Sequence, residues 1–377
     1  MRKILKGWKN NYVGLDCTLV SVSNIFSYYG LKYSPDLLLG IGCGLSFIYL
    51  NRTKPMSKMN LEGIIWMVSG KTSDIHRHIA VNLGVHYHEE THPSEDAAWT
   101  YLKWAIDRGR PVMVKINLYT YADCLEGFNL YRSDQSLDEL NSYLTERIRQ
   151  DPLFKNNYYH TTVVVGYDEE KGVVYLSENF FNNIQEVPRD LFMQAIRGTQ
   201  NKPFYTTVDF FLPREPFPLD VAIYNSIKMN VFLMKNPPIA EMGIPALYQF
   251  LHDLSQWKEL IKEERVLRDS IYYMAGMSTQ VTGGGMYRKR YSRFLALVNK
   301  QFPAFHFEKA ILRYKVVSSV WTRLLKMLLQ AAKAERPEQI LQSAELRALT
   351  DILRREEVLA LEDLEKGCRS YETKLGA

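Results

Sequence analysis

A proline-rich segment near the middle of the chain limits what its 377 residues can fold into. Three prolines, Pro213, Pro216 and Pro218, fall within six residues. Proline lacks an amide hydrogen and clashes with the preceding helical turn, so neither a helix interior nor a central strand tolerates such a segment. Before it, helical patterns alternate with β-branched runs, and after it nearly every pattern is helical. We therefore predict two domains, an α+β domain over 1–215 and an α-helical domain over 216–377.

Composition and charge narrow the class of protein. Lys and Arg exceed Asp and Glu by 47 − 42 = 5, which lacks the concentrated charge of a nucleic-acid-binding protein. The four cysteines form no CxxC pair, which excludes a disulfide scaffold and a zinc ribbon. No apolar run reaches about 18 residues, and the N-terminus lacks the apolar core of a signal peptide. We therefore expect a cytoplasmic protein that binds neither nucleic acid nor membrane and holds no metal or other cofactor.

One cysteine and one histidine are placed as a thiol enzyme requires. Cys17 precedes apolar residues at helical spacing, and a helix start stabilises a thiolate. His160 begins a β-rich run that a turn at 168–172 joins to a second run at 173–177, which predicts a hairpin. The interval of 160 − 17 = 143 residues lies within the range of roughly 130–150 that papain-like enzymes show. We predict Cys17 as the nucleophile and His160 as its acid–base partner.

A third polar group is needed to orient the imidazole of His160. Folding the predicted hairpin about 169–171 brings 178–181 opposite His160, and Glu178 and Asn179 both fall there. Adjacent strand residues point to opposite faces, so only one of them can serve. We favour Glu178 and keep Asn179 as the alternative.

The oxyanion of a tetrahedral intermediate needs hydrogen-bond donors. The backbone amide of Cys17 is one candidate, and Asn11 stands six residues upstream, at the spacing of the glutamine that papain-like enzymes use. An ordinary loop role for Asn11 stays open. Cys43, which lies between two glycines, is a rival nucleophile, but no helix start follows it directly.

Three passages make the chain resemble the family of butirosin biosynthesis protein H, in which a papain-like domain precedes a helical domain. These passages are Cys17–Leu19 with the glycine-rich 40–49, His160–Asp168 with 174–178, and 282–288 with Tyr291 and 294–295. The resemblance covers nearly the whole chain. The chain departs from the family pattern at Asp16, where the family has histidine, and at 178–179, where the family has Asp-Pro.

The resemblance implies a fold and an activity. The fold would be a papain-like α+β domain followed by an α-helical domain that acts as a lid and partner-docking region. The activity would be an acyltransferase of secondary-metabolite or antibiotic biosynthesis. It would move an acyl or aminoacyl group from the phosphopantetheine thioester of an acyl carrier protein to a small-molecule amine, through acyl-Cys17. A papain-like hydrolase (amidase, peptidase or thioesterase), a cyclase and a catalytically inactive scaffold are the alternatives.

Under the same resemblance, Gly44, Gly284 and Arg288 are candidate substrate-binding residues. Close packing is the competing interpretation for the two glycines. The basic cluster at 288–290 with Arg293 is either a docking patch for an acidic carrier protein or a solvated helix face.

Overall fold

The structure is a computed structural model, and it describes residues 2–51, 66–117, 120, 124–125, 159–199, 202–203, 205–213, 215, 217–280, 282 and 285–375. The chain forms two compact units: Met1–Leu38 with Gly84–Pro216, and Leu39–Leu83 with Phe217–Ala377. The division after residue 216 lies within the proline-rich segment. However, 39–83 group with the second unit, so the units are not the two contiguous domains that we predicted.

Eleven strands occur in the described part of the chain. They are β1 (Arg2–Ile4), β2 (Leu45–Asn51), β3 (Trp66–Lys71), β4 (His86–Thr91), β5 (Val112–Asn117), β6 (Tyr159–Asp168), β7 (Val173–Ser177), β8 (Gln185–Pro188), β9 (Gly198–Thr199), β10 (Lys202–Pro203) and β11 (Thr206–Phe211). The first unit contains an antiparallel sheet in the order β4-β11-β5-β6-β7-β8, with β1 paired to β6. The mixed α+β class is confirmed, whereas the papain-like assignment stays a prediction.

The described helices follow the predicted pattern, with a helical region after the proline-rich segment. They are α1 (Cys17–Tyr28), α2 (Pro35–Ile41), α3 (Ile75–Asn82), α4 (Glu95–Asp107), α5 (Arg189–Ile196), α6 (Leu219–Lys235), α7 (Gly243–Asp253), α8 (Trp257–Leu260), α9 (Glu264–Gln280), α10 (Arg288–Gln301), α11 (Glu308–Lys333), α12 (Pro337–Leu341) and α13 (Ala344–Leu375). A helix predicted over 136–149 lies outside the described residues. None of the helices that the structure describes combines the length and hydropathy needed to cross a bilayer.

The β6–β7 hairpin forms because its turn satisfies its own backbone. The Asp168 carboxylate accepts the amides of Glu170 and Lys171 at 3.1 and 3.2 Å, and Gly172 adopts φ +64°. An aspartate at the start and a glycine at a left-handed position are the residues that such a turn favours. The strands pair with Val163 opposite Ser177. The start of β6 and the segment after β7 therefore lie at the same end of the sheet.

Aromatic packing explains why 39–83 belong to the second unit. The Phe47 ring on β2 stacks on Trp321 of α11, with centroids 5.4 Å apart. Trp66 on β3 stacks on Trp257 at 4.1 Å. The side chains of Phe47 and of the three tryptophans are fully buried. Burying an aromatic side chain contributes about 1.5–3 kcal/mol, so these contacts hold the β2–β3 pair against the helices.

Candidate active site

Cys17 is the first residue of α1, and the residue before it caps the helix. The Asp16 carboxylate accepts the backbone amide of Leu19 at 2.9 Å. Asparagine, aspartate, serine and threonine are preferred at this position because they satisfy an amide that has no helical partner. The Cys17 side chain is partly exposed, whereas Cys43 and Cys368 are buried. Cys17 is therefore a partly exposed cysteine at the positive end of a helix, where a thiolate is stabilised.

His160 lies near the start of β6 and bonds a carboxylate that follows β7. Its Nε2 is 2.8 Å from Oε2 of Glu178, and both side chains are buried, with Glu178 fully so. The ring of Phe180 runs parallel to the imidazole at a centroid distance of 6.1 Å. The hairpin thus brings the Glu178 carboxylate into hydrogen-bond contact with the imidazole of His160.

The sulfur of Cys17 is close enough to the imidazole of His160 to raise its pKa, although 143 residues separate the two in the chain. Burial lowers the pKa of His160, but the Glu178 carboxylate and the Cys17 sulfur raise it, and the resulting pKa is about 10. The raised pKa favours the protonated, cationic form of His160. A cation beside a sulfur favours the thiolate form.

Thr161 is a polar contact of the sulfur that the sequence analysis missed. Its Oγ1 lies 3.3 Å from Sγ of Cys17 and 2.9 Å from Oγ1 of Thr18. Because strand residues alternate between faces, a neighbour of His160 is expected to point away from the nucleophile. The start of α1 lies where both His160 and Thr161 can reach it, and no local pattern in the sequence indicates this position.

Asn179 braces the loop before the nucleophile instead of bonding His160. Its Nδ2 donates to the Gly14 carbonyl at 2.6 Å, and the Gly14 amide donates to the Asn179 carbonyl at 2.8 Å. Of the two candidates, Glu178 is therefore the one that hydrogen-bonds to the imidazole of His160, and Asn179 bonds to Gly14.

The structure contradicts the oxyanion prediction for Asn11. Its side chain donates to Oγ of Ser27 at 2.7 Å. Ser27 lies ten residues beyond Cys17, about 15 Å along α1 at 1.5 Å per residue. The segment runs alongside the helix because Tyr12 and Asn24 exchange hydrogen bonds of 2.9 and 3.0 Å. Asn11 is therefore held near the far end of α1, away from the sulfur.

The two described candidates for substrate binding are packing residues of the second unit. A Cβ on Gly44 would lie 2.4 Å from the Leu39 carbonyl oxygen, so the glycine permits close packing. Gly284 lies outside the described residues. Arg288 is fully buried; its Nε donates to Glu357 at 2.8 Å, and its Nη1 donates to the Ser46 and Met286 carbonyls. Neither Gly44 nor Arg288 is available to a ligand from solvent.

Cys43, the rival nucleophile, is buried in the second unit. Asn82 donates to its sulfur at 3.5 Å, and burial raises the pKa of the Cys43 thiol to about 11 although that hydrogen bond lowers it. A neutral, buried thiol is a poor nucleophile. The geometry favours Cys17.

Comparison with known protein families matches two regions of the chain. Residues 16–122 match the family described as butirosin biosynthesis protein H, N-terminal. Residues 193–364 match a domain of unknown function, DUF4872. No curated protein matches the chain.

Proposed function

We propose that the chain, which belongs to the family of butirosin biosynthesis protein H, is a cysteine acyltransferase that works through an acyl-Cys17 intermediate. The observation that carries the proposal is the contact between the Cys17 sulfur, at a helix start, and a buried imidazole that Glu178 also bonds. A thiol that contacts an imidazole, which in turn contacts a carboxylate, is the arrangement that covalent catalysis by a cysteine requires. The packing of α1, the helix that begins at Cys17, beside an antiparallel sheet also supports the papain-like assignment.

The first half-reaction acylates Cys17. The thiolate attacks the thioester carbonyl, and a bond forms between Sγ and the acyl carbon. Collapse of the tetrahedral intermediate breaks the bond between that carbon and the donor sulfur. His160 gives its proton to the departing sulfur, which leaves as a thiol. Backbone amides at the start of α1 are the donors for the oxyanion in this proposal, since Asn11 lies elsewhere.

The second half-reaction transfers the acyl group to an amine. The amine nitrogen attacks the acyl carbon, the bond to Sγ breaks, and an amide forms. The neutral His160 takes the proton from the amine, which restores the imidazolium and the thiolate. Glu178 occupies Nε2 of His160, which leaves Nδ1 as the nitrogen that exchanges protons in this proposal. By the family resemblance, the donor is the phosphopantetheine thioester of an acyl carrier protein, and the acceptor is a small-molecule amine of secondary metabolism.

Thr161 has a positioning role in this proposal. A hydroxyl 3.3 Å from Sγ can donate a hydrogen bond to the thiolate, and the contact with Thr18 orients that hydroxyl. Hydrogen bonds to a charged group contribute about 1.5–3 kcal/mol. Thr161 therefore adds to the stabilisation that His160 and the helix start provide.

Intact-protein mass spectrometry after incubation with an acyl thioester tests the function. We expect one acyl adduct on the wild type and none on Cys17→Ala. Cys124→Ala, which removes an exposed cysteine, is the matched control and keeps the adduct. Discharge of the adduct by added amines supports transfer.

The other outcomes assign the alternatives. Discharge by water at the same rate with and without amines identifies a hydrolase, and loss of the thioester with ring formation identifies a cyclase. If folded wild-type protein forms no adduct with any thioester, the acyltransferase proposal fails and an inactive scaffold remains.

A further inference from the structure

The second unit contains an open surface cavity of about 530 Å³ whose lining is basic. We call it the basic cavity. It is lined by one residue of α10 and six of α11: Lys289, Lys315, Ser318, Ser319, Thr322, Arg323 and Lys326. Four of these residues are cations, three carry hydroxyls and none is acidic. A cavity of this size accommodates a small organic molecule.

The charges of the basic cavity are mostly uncompensated. Within the described residues, no carboxylate forms an ion pair with Lys289, Lys315 or Lys326, whereas Arg323 pairs with Glu345 at 2.6 Å. All four cations are exposed to solvent, and together they give this surface a positive potential that attracts anions. The missing compensation points to a ligand with several negative charges.

The geometry of α11 aligns these groups. Lys315, Ser319, Thr322 and Lys326 follow one another at steps of four, three and four residues, which places them on one face of the helix. The hydroxyls of Ser319 and Thr322 donate to helix carbonyls at 3.1 and 2.9 Å. Each of these carbonyls also accepts a helical amide, so a hydroxyl can turn to a ligand at the cost of a weak second bond. Lysines and hydroxyls together are typical donors to phosphate oxygens.

The start of α10 adds to the positive potential that the cavity already has. The helix begins after Tyr287 without a capping side chain, and its first turn contains no acidic residue. Lys289, in that turn, places a cation at the positive end of the helix dipole, where acidic residues are preferred.

We propose that the basic cavity binds the phosphate groups of a small ligand with at least two negative charges, such as a diphosphate or a phosphomonoester. The cavity is larger than a phosphate group needs, so an organic part of the ligand fits beside it. The proposal is independent of the chemistry at Cys17, because it concerns equilibrium binding in the second unit.

Isothermal titration calorimetry of the full-length protein tests this proposal with two probes, inorganic diphosphate and phenyl phosphate, at constant low salt. We expect saturable binding to one site. Lys315→Gln and Lys326→Gln should each weaken it roughly tenfold, since a hydrogen bond to a charged group is removed. Lys309→Gln is the matched control, because Lys309 is an exposed lysine of the same helix outside the cavity.

The two probes distinguish the sources of the phosphate. Tighter binding of diphosphate identifies a site for a free inorganic anion, and tighter binding of phenyl phosphate identifies a site for a phosphorylated organic molecule. The proposal is overturned if neither probe binds saturably at millimolar concentrations. It is also overturned if Lys309→Gln weakens binding as much as the cavity variants do. Circular dichroism melts of each variant show that the fold is retained.

Discussion

Replacing Glu178 with glutamine removes the negative charge beside His160 and keeps the side-chain shape. In the wild type the carboxylate bonds Nε2 at 2.8 Å, and both groups are buried. The charge on such a bond contributes up to about 3 kcal/mol. At roughly tenfold for each 1.36 kcal/mol, the imidazolium–thiolate form becomes about 150-fold less populated relative to the neutral pair. We therefore expect Glu178→Gln to make Cys17 a much weaker nucleophile near and below neutral pH.

Alkylation of Cys17 by iodoacetamide, followed by intact-protein mass spectrometry across pH, measures this effect. His160 keeps its proton up to a pKa of about 10, so the wild-type rate should be nearly constant from weakly acidic to weakly basic pH. In Glu178→Gln the rate near pH 6 should fall roughly 100-fold and recover as the pH rises toward the ordinary thiol range of about 8.5. Glu186→Gln, an exposed change on β8, should leave the profile unchanged.

The same variant has a predicted effect on stability. The pKa of His160 is higher in the folded protein than its ordinary value of 6.5, so proton binding favours the folded state. This contribution is complete below pH 6.5 and is lost as the pH rises through about 10. Urea denaturation should show this decline in the wild type and a smaller one in Glu178→Gln. A variant with the wild-type alkylation profile and the same decline would refute the role of Glu178.

Three further substitutions test other contacts. Thr161→Val should slow alkylation of Cys17 about tenfold, because a hydroxyl bond to the thiolate is lost, and an unchanged rate would contradict the positioning role. Asn11→Ala should leave acyl transfer within about twofold, whereas loss of an oxyanion donor would cost roughly 100- to 1000-fold in rate. Arg288→Met should lower the free energy of unfolding by about 3–5 kcal/mol in urea, because the buried Glu357 carboxylate loses its cation and keeps the Trp321 indole N–H as a partner; a loss below about 1 kcal/mol would show that the ion pair is dispensable.

The parts of the site that could be predicted from the sequence depend on local patterns. The helix at Cys17 follows from apolar spacing, and Asp16 is a preferred capping residue. The hairpin follows from two β-branched runs around a turn, and its geometry limited the partner of His160 to a few residues. Choosing Glu178 over Asn179 needs the direction of each side chain, which depends on the irregular segment after β7.

The parts that could not be predicted depend on contacts distant in the chain. Arg288 lies in a basic run that suggests a surface, but its side chain meets Glu357 and the Ser46 carbonyl in the interior. For Gly44 the sequence left both substrate binding and close packing open, and the Leu39 carbonyl oxygen, 2.4 Å from where a Cβ would lie, supports close packing. The apolar pattern predicts helices over 337–352 and 355–372; the structure also has two helices here, but the break lies at 342–343, between α12 and α13.

The stacking of Trp66 on Trp257 has a consequence for biosynthesis. The partners are 257 − 66 = 191 residues apart, and at about 5–20 residues per second their synthesis is separated by roughly 10–40 s. During this time the β2–β3 segment has been made, but the tryptophan that covers it has not. The aromatic surface is then open to chaperones, so the second unit can be completed only after most of the polypeptide has been translated.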